Sequence, residues 1–258
     1  MFDPEQQVAA PVRRSNILLE LREAPMVSVS ELARRFAVSE MTIRRDLRAL
    51  EARGEVRKVH GGAVRAHDAP ATARSSRNPK AKHAIALAAA GRVPDGATIL
   101  LDGGTTVAAL AELLATRPVT IVTHSLLAVA ALGPEPEATA YLVGGKLRPS
   151  TQSLVGAETA AELAGFRAEY AFLSASAVDP TGFYNHQVDD VAIQRTLIEI
   201  ADQAWLLADS TKFTATALAK IGPLTALAGI ITESRLDSAV AEEIRSCGAE
   251  LELVAVHK

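Results

Sequence analysis

The sequence predicts an α/β chain in two parts. The first is an N-terminal winged helix-turn-helix, and the second an open, mainly parallel α/β domain. Three observations carry this. Two short helical patterns joined by a tight turn stand at residues 31–50, followed by extended pieces around a Gly-Gly pair. From about Lys80 onward, short apolar runs alternate with helical stretches. The charge is also divided: residues 1–82 carry +6 and residues 83–258 carry −9, within a net −3 for all 258 residues. A basic front and an acidic back place the polyanion-facing surface in the front.

Composition narrows the classes. With 48% hydrophobic residues the chain can bury a packed core, and with only 4% aromatic residues Ala, Val, Leu and Ile must fill it. There is no apolar run of about 18 residues and no basic-then-apolar leader pattern, so no membrane partner and a cytoplasmic location are expected. The single cysteine, Cys247, rules out an intrachain disulfide and any cysteine-based zinc cluster. No metal site and no cofactor are expected.

Residues 1–12 lack periodicity and read as a flexible tail; residues 13–65 read as the DNA-binding head. Ile17, Leu18 and Leu21 give a first helix over 13–23, stopped at Ala24-Pro25 because a residue preceding proline avoids helical angles. Ser30 is expected to cap a helix over 31–37, Val38 to occupy the turn, and Ser39 to cap a helix that ends at Gly54. Ile43, Leu47 and Leu50 share one face, leaving Thr42, Arg44, Arg45 and Arg48 largely off it. Glu55 to Arg65 reads as a hairpin around His60-Gly61-Gly62. Residues 66–80, rich in Ala, Pro, Ser and Arg, read as a linker.

A recognition helix reaches base edges with residues near its start and holds phosphates with its flanks. The residues expected at DNA are Ser28, Ser39, Met41, Thr42, Arg44, Arg45 and Arg48, with Arg57, Lys58 and His60 on the wing. Asp46 is expected to brace Arg45 or Arg48. The competing reading of the same segment is a small helical bundle with a solvated basic face.

In the second part, 81–258, strands are expected at Thr98–Asp102, Val119–Thr123, Ala140–Val143, Tyr170–Ser174, Trp205–Asp209, Gly229–Thr232 and Leu251–Val256. Helices are expected at Val107–Ala115, Leu126–Leu132, Thr159–Leu163 and Val188–Ala201. The first strand runs into Asp102-Gly103-Gly104-Thr105-Thr106, where glycines admit an anion close to the backbone and a helix N-terminus faces it. Alone, such a loop is more often a plain turn. Its weight comes from Thr123-His124-Ser125, Gly144-Gly145-Lys146 and Asp209-Ser210-Thr211-Lys212-Phe213 closing other strands, because strand C-termini of an open sheet gather on one edge. Lys212 brings a positive charge suited to phosphate.

The head motif, Val38-Ser39-Glu40-Met41-Thr42-Ile43-Arg44-Arg45-Asp46-Leu47 followed by Lys58-Val59-His60-Gly61-Gly62, resembles the DNA-binding domain of the DeoR family of bacterial transcriptional repressors. The wing has lysine where that family has arginine. The second part is similar to the family's sugar-phosphate-isomerase-like sensor, with the family's Asp-Ser-Gly-Thr-Thr, Thr-Asn-Ser, Gly-Gly and Asp-Ser-x-Lys-Phe at Asp102–Thr106, Thr123–Ser125, Gly144-Gly145 and Asp209–Phe213. The likeness spans roughly residues 13–235. It implies a repressor of a carbohydrate-catabolism operon that binds double-stranded operator DNA as a homodimer or homotetramer. It also implies a phosphorylated sugar as effector, held by Asp102, Gly103, Gly104, Thr105, Thr106, Thr123, His124, Ser125, Gly144, Gly145, Asp209 and Lys212.

Three departures are placed near the pocket: Ser174-Ala175-Ser176-Ala177 for a Gly-x-x-Gly pattern, Glu169 for Asp, and His124 for Asn. Phe183-Tyr184-Asn185-His186 adds bulk, and Tyr184 and Asn185 either contact the ligand or pack on the surface. No catalytic residue is assigned. The alternative class is a sugar-phosphate isomerase or deaminase with an appended DNA module, using Asp102, His186, Asp189 or Asp190 for proton transfer. Asp189-Asp190 opening a helix has the simpler role of meeting the helix dipole.

Overall fold

The computed structural model describes residues 9–24, 26–52, 56–65 and 74–256. The expected stop at Gly54, most of the expected tail and the 66–73 part of the expected linker lie outside them. The chain divides into two compact units, Met1–Ala69 and Pro70–Lys258.

In the first unit, α1 (Ala10–Glu23) packs with α2 (Val29–Arg35) and α3 (Glu40–Ala52) against a sheet ordered β1 (Met26–Ser28), β3 (Gly62–Arg65), β2 (Val56–Val59). Helix α1 starts three residues earlier than expected, so residues 10–12 of the expected tail are helical, because Pro11 fits the first turn, where its missing N–H costs nothing. Helix α2 starts at Val29, not after Ser30: residues 26–28 pair with the wing as an extra strand, and extended Ser28 becomes the N-cap. The Ser30 hydroxyl instead meets that of Ser28 at 2.9 Å. Ser39 does cap α3, its Oγ accepting from Thr42 N at 3.2 Å. Ile17, Leu21, Leu32, Ile43, Leu47, Leu50 and Val56 close the core, and truncating any of the leucines or isoleucines to alanine should cost about 2–5 kcal/mol. Gly62 is forced by packing: a Cβ there would stand 2.0 Å from the carbonyl oxygen of Val27 in β1.

The second unit is built on a wholly parallel seven-stranded sheet ordered β15-β14-β12-β9-β4-β5-β6. Its strands are β4 (Thr98–Leu101), β5 (Thr120–Thr123), β6 (Thr139–Leu142), β9 (Ala168–Leu173), β12 (Ala201–Leu207), β14 (Gly229–Glu233) and β15 (Leu251–Val254). These are the seven expected from the sequence, with small shifts at their ends. Alternate residues feed two cores. Ile99, Leu101, Ile121, Phe172, Leu207 and Ile231 pack with α4 (Pro79–Ala90), α5 (Thr105–Leu114) and α6 (Leu126–Ala131). Leu100, Val122, Leu173, Leu206 and Ile230 pack with α7 (Ala157–Leu163), α8 (Val188–Glu199) and α9 (Ser238–Ser246). Two small antiparallel sheets were not expected: β7 (Lys146–Arg148) with β8 (Ser153–Val155), and β10 (Ala177–Asp179), β11 (Gly182–Asn185) and β13 (Ala219–Gly222). Residues 74–80, assigned to a linker by composition, carry a short turn and the start of α4.

Strand order fixes where a ligand crevice can form. From β4 the chain steps outward through β5 and β6, then returns to the other side of β4 with β9 and continues through β12, β14 and β15. The reversal lies between β4 and β9, and a crevice opens beyond the strand C-termini at such a point.

Candidate effector pocket and nucleic-acid interface

On α3 the burial is sharply one-sided. Ile43, Asp46, Leu47 and Leu50 are buried, whereas Met41, Arg44, Arg45 and Arg48 are exposed. Ser39 is exposed beside them, its Oγ 2.9 Å from that of Thr42. Arg44 pairs with Glu40 one turn earlier at 3.2 Å, a solvated pair worth about 0.3–0.5 kcal/mol. Arg45 and Arg48 have no ion pair among the described residues. On the wing His60 is exposed at the turn, Arg57 is half-buried, and Lys58 faces Glu51 at 3.4 Å. Ser28 is half-buried at the start of α2.

Asp46 does not brace Arg45 or Arg48. Its oxygens accept from Arg13 Nε at 2.6 Å and Arg14 Nε at 2.9 Å, both on α1. The physical reason is its position on the helix: Asp46 shares the inward face with Ile43 and Leu47, and the arginines beside it in sequence point outward.

In the second unit Asp102 ends β4 and is 3% exposed. It accepts four hydrogen bonds, from His124 Nε2 (3.1 Å), Ser174 N (2.9 Å), Ser174 Oγ (3.1 Å) and Gln194 Nε2 (2.7 Å). Three converge on Oδ2 and the one from His124 falls on Oδ1. Gln194 is held by Asn185, whose Nδ2 donates to its Oε1 at 3.0 Å, and Gln194 also donates to the Ser174 carbonyl at 2.8 Å. The His124 Nδ1 faces the Leu154 carbonyl at 2.9 Å. Both ring nitrogens thus face acceptors. Burial by itself would lower the pKa of His124, but the hydrogen bond and charge of Asp102, aided by the Leu154 carbonyl, raise it above the ordinary imidazole value. The histidine that stands for the family's asparagine is therefore sealed against Asp102, and the two form an ion pair whenever the ring is protonated.

The other expected residues divide by role. Thr123 is fully buried, donates to the Leu101 carbonyl at 2.6 Å and accepts from Ser125 N, which braces the loop. Ser125 caps α6 through Ala128 N. Gly104 stands at φ +114 immediately before α5, against Ser174, and Gly103 faces Ser153 and His124. Thr105 is half-buried in the first turn of α5, and Thr106 is 7% exposed. Gly144 and Gly145 lie at the edge of the sheet, tied to α7 through Gly144 N–Glu162 (2.7 Å) and Thr159 Oγ1–Gly144 O (2.8 Å). Tyr184 and Asn185 alternate on β11: Asn185 faces the Asp102 network, while the Tyr184 hydroxyl meets Thr181 and Asp179 at the hairpin turn. Of the departures, Ser174 and His124 touch Asp102. Glu169 does not lie at the pocket; it sits near the start of β9 and accepts from Thr98 N at 2.8 Å, at the opposite end of the strands.

Asp209 ends β12 with its Oδ1 accepting from Thr211 N at 3.1 Å, capping the turn that presents Lys212. Glu233, fully buried at the end of β14, supports that turn by accepting from Ser210 N at 2.9 Å. Lys82, on α4 and 7% exposed, has its pKa pulled down to about 8 by burial, against the favourable charge of Asp209 and with the repulsion of Lys212, Arg74 and Arg77. Burial lowers Lys212 as well, again opposed by Asp209 and reinforced by Arg74 and Arg77. On the other flank Arg148 pairs with Asp189 (3.2 Å) and Asp190, whose carboxyl is raised by burial despite that arginine. Ser174, Gln194, Arg148, Glu233, Lys82 and Arg74 were not among the expected site residues. Only Ser174 had a signal, as a departure from the family pattern. Among the described residues no helix is long and apolar enough to cross a membrane.

Comparison with known proteins agrees with this arrangement. Residues 13–69 match the DeoR-like helix-turn-helix domain and residues 77–234 the DeoR C terminal sensor domain. The HTH-type transcriptional repressor CsqR of Escherichia coli (strain K12) is 32% identical over 244 residues, covering 93% of this chain and 94% of that protein. The glycerol-3-phosphate regulon repressor of the same strain is 29% identical over 247 residues, covering 93% and 98%. The transcriptional repressor AccR of Agrobacterium fabrum is 30% identical over 229 residues, covering 86% and 89%. A solved ribose 5-phosphate isomerase A from Methanocaldococcus jannaschii overlaps at a TM-score of 0.39 and 19% identity, over 53% of this chain and 55% of that one. With a helix-turn-helix and a sensor domain that both match, the chain belongs to the DeoR family of transcriptional repressors.

Proposed function

We propose that this repressor controls a carbohydrate-catabolism operon and that a phosphorylated sugar, bound at the C-terminal edge of the sensor sheet, sets its affinity for operator DNA. The observation that carries this reading is the set of cations at that edge. Lys82 is buried and Lys212 half-buried, and their charges repel one another. A phosphoryl group would relieve that repulsion. The loop 102–106 would supply backbone N–H groups at the start of α5, and the Asp102–Ser174–Gln194–Asn185 network would hold the loop in place. The glycerol-3-phosphate regulon repressor, by its name, serves a regulon for a phosphorylated polyol, the same ligand chemistry.

Regulation requires the effector to bind the arrangement that releases DNA better than the arrangement that holds it. Two or more heads are needed, because one head contacts too few bases to select a site in a genome; a homodimer or homotetramer follows. Three of the acids a catalytic alternative would use are tied into the structure: Asp102 accepts four hydrogen bonds, and Asp189 and Asp190 answer Arg148.

The test is a thermal-shift screen of sugar phosphates on the full chain, followed by operator binding with and without the hit. A true effector raises apparent stability by mass action and changes operator affinity. Lys212→Ala should lose both responses and keep operator binding. Normal induction in that variant would remove the phosphate pocket from the account.

A further inference from the structure

The sensor sheet ends on two edge strands, β15 and β6, and they are not alike. β15 carries Glu252, paired with Arg92 at 2.6 Å, and Glu250 stands just before it. Charge of this kind keeps an open edge from pairing with another chain. β6 has none. Its residues, Thr139-Ala140-Tyr141-Leu142, are all exposed and include neither a charge nor a proline. Tyr141 is 52% exposed and Leu142 42%, although Ala138 and Val143 at either end are buried. Neighbours on a strand point to opposite faces, so Tyr141 and Leu142 leave apolar surface on both. The backbone is open as well. Thr139 N donates to Val119 O and Val143 N to Thr123 O, on the β5 side. The alternation then turns the N–H and C=O of Ala140 and Leu142 outward, and among the described residues no strand meets them.

The charges beyond the two ends select the occupant. Glu135 and Glu137 precede the strand and Lys146 follows it, all three exposed and with no ion pair among the described residues. An edge with acids before it and a cation after it is complementary to itself when run antiparallel. A two-fold axis at Tyr141 lets Ala140 of one copy and Leu142 of the other exchange N–H···O=C bonds, twice over. It sets the two Tyr141 side chains face to face and brings Lys146 opposite the stretch from Glu135 to Glu137. A parallel copy would meet like charge with like and would not close. We propose that β6 is the surface through which two copies of this chain join, antiparallel about Tyr141, running their seven-stranded sheets into one. This rests on the reading above that two or more heads are required, and it names the edge that brings them together.

The test is sedimentation velocity of the full-length chain over a concentration series, with circular dichroism to verify folding. Wild type should sediment as an even-numbered oligomer. Ala140→Pro removes one outward N–H on each side of the axis and should weaken association about tenfold or more, the scale of two lost hydrogen bonds, with an unchanged spectrum. Glu137→Lys and Lys146→Glu should each weaken association, and the double variant should recover it, which a misfolded edge could not do. In a Cys247→Ser background, Tyr141→Cys should form a disulfide-linked dimer on mild oxidation, since facing residues of a non-hydrogen-bonded pair stand about 4.5 Å apart at Cα. Leu142→Cys, whose copies stand out of register, should not. If Ala140→Pro associates as wild type does and Tyr141→Cys fails to cross-link, the edge is wrong while the need for two heads stands. A double charge variant no better than the single ones overturns the antiparallel register. A wild type that is monomeric at micromolar concentration and binds its operator tightly as a monomer overturns the two-head reading itself, and this inference with it.

Discussion

In the head, Arg45 and Arg48 stand exposed on α3 with no ion pair among the described residues, and the acid between them, Asp46, is turned inward and gripped by Arg13 and Arg14. In the sensor the cations are turned inward. Lys82 is buried and Lys212 and Arg74 are half-buried, beside the buried carboxylates of Asp209 and Glu233. The difference teaches what each unit can bind. Outward cations on a convex helix suit a long polyanion whose charges lie side by side. Inward cations at a strand edge suit a small anion that can be enclosed. Asp46 in the head and Asp102 in the sensor are both almost completely buried, and here the units differ again. Asp46 is matched by two permanent cations, whereas Asp102 is matched by neutral donors and one histidine whose charge depends on pH.

The largest expected effects come from breaking those buried pairs. Asp102→Ala would strand the His124 imidazolium and the Gln194 and Ser174 donors, and should cost about 3–5 kcal/mol in denaturant unfolding of the sensor. Asp46→Ala should cost the head a similar amount, about 3 kcal/mol, since it removes the buried carboxylate that Arg13 and Arg14 share. A loss below about 1 kcal/mol in either would mean the carboxylate is not the keystone its bonds suggest. Next in size is the outward face. Arg45→Ala should weaken operator binding by about 1–3 kcal/mol if it reads a base, or flatten the salt dependence if it holds a phosphate, with no change in stability. Arg44→Ala should weaken it less, because Arg44 already shares its charge with Glu40.

The smallest effect separates the two carboxylates by pH. The pKa of folded His124 lies above that of the unfolded residue, so its contribution is complete at low pH and fades as pH rises from about 6.5 through the folded value. Sensor stability should therefore decline over that window, and His124→Asn should remove the slope. Asp46 faces arginines that do not titrate there, so the head should show no matching slope.

The inner strands of the sheet were legible because they are buried on both faces and read as short continuous apolar runs; Ile99–Leu101 and Ile230–Ile231 are of this kind. Strands β1, β7, β8, β10, β11 and β13 were not, being three or four residues long with polar residues or glycine interrupting any apolar run. The pocket loops were visible as glycine-threonine and histidine-serine punctuation at strand ends. Their supports were not. Gln194 reaches Asp102 across 92 positions and Asp46 reaches Arg13 across 33, and no local pattern encodes such a meeting. Arg74 was hidden in a stretch whose composition matches that of a connector.

The clasp between Asp46 and α1 has one more consequence. It fixes the rotation of α3 about its own axis, and with it the azimuth at which Arg45 and Arg48 project. A substitution at Arg13 or Arg14, both remote from any base on this reading, should thus mis-aim the reading face and shift base preference in a binding-site selection, even where the overall grip on DNA survives.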